Sequence, residues 1–280
     1  MHLVIILTTT AIAWGLRLFW DQSGESWTTR WQRSLFLFLL PPLLLLMTAA
    51  AVLFMGPSGK MLGLHAGWIS YLVAIAFLGW AIFCLLKRLH QMWSSCQEIR
   101  AYLQLEINGK IAHILDTNFP YSAQIGFWHS DLVVSKGLLQ TLDKAHLEAV
   151  LAHEKAHSYY RDTFWFFWLG WLRYCTSWLP DTEALWQELL LLREMRADRH
   201  AAAQVDPLLL AESLLEVAQA PLKFNDSFSV AFSCATPANR LTERINALLT
   251  TSESPTQPKF WTWSWMLFAL IPLFTVPFHQ

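Results

Sequence analysis

Two long stretches of the chain, Ser34–Gly59 and Met61–Leu86, contain no Lys, Arg, Asp or Glu. Each exceeds the roughly 20 apolar residues with which a helix crosses the hydrocarbon core of a bilayer. Met1–Trp20 and Phe260–Phe278 are two further apolar runs, and together they carry only one charge. Composition agrees, because 54% of the 280 residues are hydrophobic and 15% are charged, whereas soluble domains carry about 25% charged residues. The pattern predicts a polytopic membrane protein with four transmembrane helices, and the length of the runs disfavours buried helices of a soluble core.

Most charged residues lie between the third and fourth apolar runs and divide the chain into segments. We predict a three-span membrane region at 1–88, a domain at 89–250, a linker at 251–259 and a C-terminal transmembrane helix at 260–280. Inside the domain, residues 164–179 contain four tryptophans and a single charge. This segment is marginal in length for a span, and tryptophan prefers the headgroup level of a bilayer, so we predict an interfacial helix there.

The basic residues predict how the chain is oriented. Three arginines lie in or beside the first loop and Lys87–Arg88 follow the third run, whereas the second loop offers only Lys60. Because cytoplasmic loops are enriched in Lys and Arg, we predict a protein of the bacterial inner (plasma) membrane with its N-terminus outside and its domain in the cytoplasm. The first run lacks a basic start and a small-residue cleavage site, so we expect it to be retained as a span.

Charge balance and cysteine usage exclude two classes of site. The chain has 20 Lys and Arg against 21 Asp and Glu, a net charge of -1. Such a balance provides no long-range field for phosphate, so we expect no direct nucleic-acid partner. The four cysteines form no CxxC pair, which predicts reduced thiols rather than a cysteine-based metal site.

The chemistry centres on the motif HEKAH, within a stretch at 143–162 that has helical apolar periodicity. His153 and His157 lie one turn apart on one helix face and can direct imidazole nitrogens at one metal ion. Glu154 is placed to take a proton from metal-bound water. Because HExxH is short and also arises by chance, a third ligand is needed to support the interpretation.

Catalytic zinc takes three protein ligands and leaves a fourth position open for water. The extension HExxHxxGxxH, which would place a third histidine on the same helix, is absent. A second predicted helix, Thr182 to about Gln204, carries Glu194 and Asp198 four residues apart on one face. Glu194 is the candidate third ligand, and Asp198 the candidate acceptor that orients a ligand histidine. The alternative is an exposed face on which three neighbouring arginines pair with these carboxylates.

Further parts of the domain carry a family resemblance, on either side of HEKAH: Gly126–Trp128, Leu132–Leu139, Leu147–Ala152 and Arg161–Asp162. Together with the ExxxD spacing downstream, they resemble the integral-membrane zinc peptidases of the BlaR/MecR type, which are similar to the HtpX and CAAX-protease group. The resemblance implies a mainly α fold in which a cytoplasmic α+β zincin-like (gluzincin) metalloprotease domain lies between the third and fourth spans. It also implies a Zn²⁺ cofactor held by His153, His157 and Glu194, with Glu154 as general base.

The sequence departs from the BlaR/MecR pattern in two places. No penicillin-binding sensor domain follows the fourth span, so we do not expect β-lactam sensing by this chain alone. Ser130 stands where the family tends to have a proline just before the apolar run that leads to the metal helix.

Two more elements follow from the residues and the resemblance. Ile125–Ser135 alternates weakly and predicts a strand before the metal helix. In zinc peptidases of this type such a strand pairs with an extended substrate, and a core strand is the alternative. Residues 236–245 resemble the C-terminal helix of HtpX-like relatives. There Arg240 or Arg244 could stabilise the oxyanion or hold Asp198, and the alternative is a surface arginine.

The residues and the resemblance together predict a membrane-embedded zinc endopeptidase. The expected substrate is a cytoplasmic protein such as a BlaI/MecI-type repressor, cleaved in signal transduction. The alternatives are an HtpX-like quality-control protease of membrane proteins and a non-catalytic membrane signalling or scaffold protein. The expected partners are the protein substrate, membrane lipid, and either a sensor protein or a second copy of the chain.

Overall fold

The computed structural model describes residues 1–18, 26–61, 64–65, 67–107, 109–223, 238–250 and 260–279. The predicted linker at 251–259 and the start of the predicted segment at 236–245 lie outside this part of the chain. The described residues are mainly helical and form two units. The first unit contains Met1–Arg88, Trp168–Leu190 and the C-terminal helix, and the second contains Leu89–Phe167 and the described residues of Leu191–Ser254.

The elements of the first unit follow the apolar runs: α1 (His2–Leu18), α2 (Trp27–Met55), β1 (Lys60–Met61), β2 (Leu64–His65), most of α3 (Trp68–Arg100) and a C-terminal 3₁₀ helix (Phe260–Phe278). Buried Ala13 and Leu45 belong to one cluster that joins α1 to α2, and Leu44 packs with Ala269 of the C-terminal helix. The helix α2 continues through Pro41 and Pro42.

Two of the four predicted spans, α2 and α3, are helices long and apolar enough to cross a membrane, among the residues that the structure describes. Only 22% of the most apolar stretch of α3 is buried, and large side chains such as Ile69, Leu72 and Phe83 are exposed. An apolar surface of this extent is unfavourable in water and suits contact with lipid or a partner. The two helices thus support membrane association. The spans predicted at α1 and the C-terminal helix, which are shorter, and the orientation stay predictions.

The predicted interfacial segment at 164–179 forms most of α6 (Asp162–Cys175) and the turn after it. The 14 residues of α6 give a length of about 21 Å, shorter than the roughly 30 Å of bilayer hydrocarbon. Residues Trp168–Leu190 cluster with the first unit, and the domain bounds predicted from the sequence stay predictions.

A four-stranded sheet forms the β part of the second unit: β3 (Leu103–Ile107), β4 (Lys110–Leu115), β5 (Ser122–Gly126) and β6 (Ser130–Ser135). The spatial order is β3-β4-β6-β5. The pairs β3/β4 and β5/β6 are antiparallel, and β4 and β6 are parallel. The order leaves β3 and β5 as the edge strands of this sheet.

The single strand predicted at Ile125–Ser135 is wrong in extent, because the region forms a hairpin that begins earlier and turns at 127–129. Gly126 causes the reversal: its φ is 151°, and a Cβ there would lie 2.1 Å from the carbonyl oxygen of His129. A glycine alone fits this backbone approach. The weakly alternating segment therefore contains parts of two antiparallel strands, in which Ile125 pairs with Asp131.

The remaining helices of the second unit are α4 (Lys136–Thr141), α5 (Lys144–Tyr159), α8 (Pro207–Lys223), α9 (Ala238–Leu249) and the part of α7 (Thr182–Ala202) that follows Leu190. The metal helix predicted at 143–162 is confirmed as α5, with Asp143 as N-cap accepting from the His146 N–H. It ends three residues before the predicted end because Arg161 adopts a left-handed φ of 53°. This break lets Asp162 start a new helix, α6.

One face of the sheet packs against α4, α5 and α8 and forms a core with them. Ile114 of β4, Val134 of β6, Leu138 of α4 and Val150 of α5 are buried in one cluster. A second cluster joins α5 to α7 and α8. Burial on two sides holds α5 between the sheet and the helices α7 and α8.

Candidate metal centre

The two histidines of HEKAH converge as the helix spacing predicts. Their Nε2 atoms lie 3.1 Å apart, and the rings stand nearly perpendicular at 87°. Both side chains are largely buried, with exposed fractions of 7% for His153 and 11% for His157. Two imidazole nitrogens aimed at one point in a buried site are an arrangement typical of metal ligation.

A third ligand atom comes from α7. Glu194 Oε2 lies 3.3 Å from Nε2 of His153 and 3.6 Å from Nε2 of His157. Ligand atoms around a tetrahedral zinc with bonds of about 2.0–2.1 Å are about 3.3–3.4 Å apart. The three atoms thus match the spacing and the donor set of a zinc site. Of the residues that the structure describes, no other three His, Cys, Asp or Glu side chains form such a group.

Asp198 lies behind His153, on the side away from the converging nitrogens. Its Oδ1 is 2.9 Å from Nδ1 of His153. Arg244 of α9 binds the same carboxylate at two points, with Nε and Nη2 each 2.8 Å from an oxygen. Of the roles considered for Arg244, holding Asp198 is the one that these contacts favour. Arg240 is half-buried on the same helix.

Arg193 supports Glu194 directly. Its Nε and Nη2 lie 2.9 and 2.6 Å from Glu194 Oε1, which leaves Oε2 to face the histidines. Burial would raise the pKa of Glu194, but Arg193 and His157 outweigh it and hold the pKa well below its usual range. The pKa of Asp198 is likewise lowered, because Arg244 outweighs burial. Both carboxylates are therefore charged at neutral pH.

The pKa values of the two ligand histidines are raised, in contrast to those of the carboxylates. Burial would lower the pKa of His153, but hydrogen bonds and charges from Asp198 and Glu194 raise it to about 10. The pKa of His157 is also raised, because Glu194 and Asp162 outweigh burial. In the metal-free protein His153 is therefore protonated at neutral pH, so that a metal ion and a proton compete for its imidazole.

Glu154 faces the edge of the sheet. The Ser122 hydroxyl, on edge strand β5, donates a hydrogen bond of 2.7 Å to Glu154 Oε1. The carboxylate is buried, with 6% of the residue exposed. Its neighbour is therefore a strand whose outer side is unpaired in the described sheet.

Asp162 was assigned no role from the sequence, and Ser122 was not singled out. Asp162 Oδ2 lies 2.7 Å from Nδ1 of His157, and Oδ1 accepts from Nη2 of Arg196. A carboxylate five residues after a histidine does not share its face on a continuous helix. The left-handed residue Arg161 brings the carboxylate back, and no glycine, proline or asparagine marks this break in the sequence.

The comparison with protein families agrees with this centre. The model of Peptidase family M48 matches residues 122–173. The match supports an M48 family metallopeptidase. The matched segment runs from β5 through α5 into α6, so it includes the HEKAH motif and Asp162, while Glu194 lies beyond it. No curated protein matches the sequence significantly. The narrower resemblance to the BlaR/MecR type stays a prediction.

Proposed function

We propose that this chain is a membrane-embedded zinc-dependent endopeptidase. The observation that carries the proposal is the convergence of two imidazole nitrogens and one carboxylate oxygen, all within 4.8 Å of one another, on helices that also carry Glu154. The M48 match supports the reaction class, and the apolar helices α2 and α3 support the membrane association.

In this proposal His153, His157 and Glu194 hold the zinc ion. Zinc supplies Lewis-acid chemistry when bound, lowering the pKa of a ligated water to about 7 and polarising the substrate carbonyl. Glu154 accepts the proton of the attacking water and then delivers it to the leaving amine. Arg193 and Asp198 keep two of the ligands in place.

The edge strand β5 offers a binding mode for the substrate. Its outer backbone N–H and C=O groups can pair with an extended peptide, as in other cases of strand addition. The hydrogen bond from Ser122 to Glu154 supports this assignment, because it joins that strand to the general base. A peptide held along β5 would present its backbone close to the reacting groups.

For the substrate we propose a cytoplasmic protein of the BlaI/MecI repressor class, cleaved by a protein of the bacterial inner membrane whose domain faces the cytoplasm. The BlaR/MecR resemblance and the distribution of Lys and Arg support this choice. The stimulus would reach the enzyme through its membrane helices, a sensor partner or a second copy of the chain.

The test compares newly formed protein N-termini in cells that express the wild-type chain, Glu154→Gln, or the control Glu148→Gln. Glu148 is an exposed glutamate on the same helix, so it controls for the charge change. We expect Glu154→Gln to retain zinc in the purified protein and to lose cleavage by at least about 100-fold.

The pattern of termini separates the functions. One or a few Glu154-dependent termini, in a DNA-binding repressor, would support the regulatory protease. Many termini dispersed over membrane proteins would favour quality control instead. Cleavage that persists in purified Glu154→Gln would contradict the mechanism, and a wild-type chain that binds no zinc would favour a scaffold.

A further inference from the structure

We propose that Asp162 and Arg196 form a positioning pair that orients His157 and thereby sets the metal affinity of the centre. This inference rests on the proposed function, since it assigns residues toward the zinc ion proposed there. Asp162 bridges three helices: it is the first residue of α6, it contacts His157 of α5, and it accepts from Arg196 of α7.

The geometry of the carboxylate divides its two oxygens between two partners. Oδ2 lies 2.7 Å from Nδ1 of His157, and Oδ1 faces the guanidinium of Arg196. A carboxylate at Nδ1 keeps the proton on that nitrogen, so that the lone pair of Nε2 faces the other ligands. In the structure, Nε2 of His157 faces His153 and Glu194.

Arg196 is itself held in place. Its guanidinium carbon lies 4.2 Å from the ring centre of Tyr160, a distance at which a cation is attracted to the face of an aromatic ring. The Asp162 carboxylate is almost fully buried, with 4% of its side chain exposed, and the arginine side chain is 19% exposed. A buried carboxylate requires such a counter-charge. Arg196 therefore acts on His157 through Asp162.

The arrangement repeats the one at the other histidine. Asp198 faces Nδ1 of His153 and accepts from Arg244, and Asp162 faces Nδ1 of His157 and accepts from Arg196. The two imidazoles are thus oriented by separate carboxylate–arginine pairs on different helices.

The test measures the affinity of the full-length protein for Zn²⁺, by competition with a chelating dye in detergent, and the visible spectrum of its Co²⁺ form. We expect Asp162→Asn to weaken zinc binding about 10- to 100-fold and to alter the Co²⁺ spectrum. Asp116→Asn is the matched control, because Asp116 is an exposed carboxylate of the same unit that pairs with Lys136. Its affinity and spectrum should equal those of the wild type.

Arg196 variants test the chain of contacts. Arg196→Gln should weaken zinc binding less than Asp162→Asn does, and Arg196→Lys should restore part of the loss. The double variant Asp162→Asn/Arg196→Gln should be no weaker than Asp162→Asn alone, because the arginine acts through the carboxylate. The melting temperature of each metal-free variant shows that it is folded. If Asp162→Asn fails to fold, the Arg196→Gln and Arg196→Lys pair provides the same test.

Two results would overturn the inference. One is wild-type zinc affinity and an unchanged Co²⁺ spectrum in folded Asp162→Asn or Arg196→Gln. The other is a double variant whose losses add. A wild-type chain that binds no zinc would contradict the proposed function instead, so the two failures are distinguishable.

Discussion

Arg244 and Asp198 form a buried pair in which two guanidinium nitrogens each lie 2.8 Å from a carboxylate oxygen, while the same carboxylate faces Nδ1 of His153. The pair joins α9 to α7, and Asp198 in turn contacts His153 on α5. Arg244 thereby influences the orientation of His153, although the two residues lie far apart in the sequence.

Arg244→Gln should destabilise the metal-free protein strongly, because it leaves the Asp198 charge buried without its main partner. Removing one member of a buried ion pair costs about 3–5 kcal/mol. Thermal unfolding in detergent measures the loss, with Arg240→Gln on the same helix as the comparison. We expect a much smaller loss for Arg240→Gln, and equal losses would contradict the assignment of Arg244.

Zinc binding should release protons at neutral pH, and the apparent affinity should rise as pH increases. The pKa of His153 is raised to about 10, so zinc must displace a proton from it, and the raised pKa of His157 acts in the same direction. Calorimetry in buffers of different ionisation enthalpy counts the released protons. Zinc binding at pH 7 with no proton release would refute the assignment.

The raised pKa of His153 also predicts how the stability of the metal-free protein depends on pH. A histidine whose folded pKa exceeds its unfolded value of 6.5 stabilises the fold fully below that value. The contribution of His153 is then lost as pH rises toward 10. We expect unfolding temperatures of the metal-free protein to fall over this range, and His153→Ala should remove that part of the dependence.

Ser122→Ala should lower the cleavage rate about 10- to 150-fold, since a hydrogen bond to a charged group contributes about 1.5–3 kcal/mol. Zinc affinity should not change, because Ser122 contacts Glu154 rather than a ligand. Ser130→Ala is the matched control in the same hairpin, where the hydroxyl bonds to Gln124. Loss of zinc from Ser122→Ala would speak against this role.

The ion pair between Arg30 of α2 and Glu188 of α7 should stabilise the first unit. Arg30 Nη2 lies 2.6 Å from Glu188 Oε1, and the side chains are 20% and 8% exposed. A double-mutant cycle of Arg30→Gln and Glu188→Gln, read by thermal unfolding, should show that the two losses are not additive. Additive losses would mean that the pair contributes nothing as a pair.

Orientation can be tested by labelling single cysteines in cells, in a variant whose native cysteines are replaced. Ser58→Cys, in the exposed turn after α2, should react with a membrane-impermeant thiol reagent from outside. Ser94→Cys, exposed beyond Lys87–Arg88 on α3, should react only after the membrane is permeabilised. The reverse pattern would invert the predicted topology.

The sequence by itself determined what depends on near neighbours in the chain. The apolar runs at α2 and α3, the N-cap at Asp143 and the i,i+4 spacing of His153 and His157 are local features, because helix length, capping and face are set within a few turns. These features predicted the membrane helices, the metal helix and the class of chemistry, which the M48 match supports.

Other features required the tertiary structure. Ile125–Ser135 was predicted as one strand, because weak alternation cannot show a reversal that depends on close backbone contact at Gly126. Glu194 was a hypothesis with an alternative, since only the packing of α7 against α5 decides whether it meets the histidines or the solvent. Asp162 had no assigned role, because its approach to His157 depends on the helix break at Arg161 and on Arg196 from another helix. Such contacts join residues far apart in the chain, and local spacing carries no information about them.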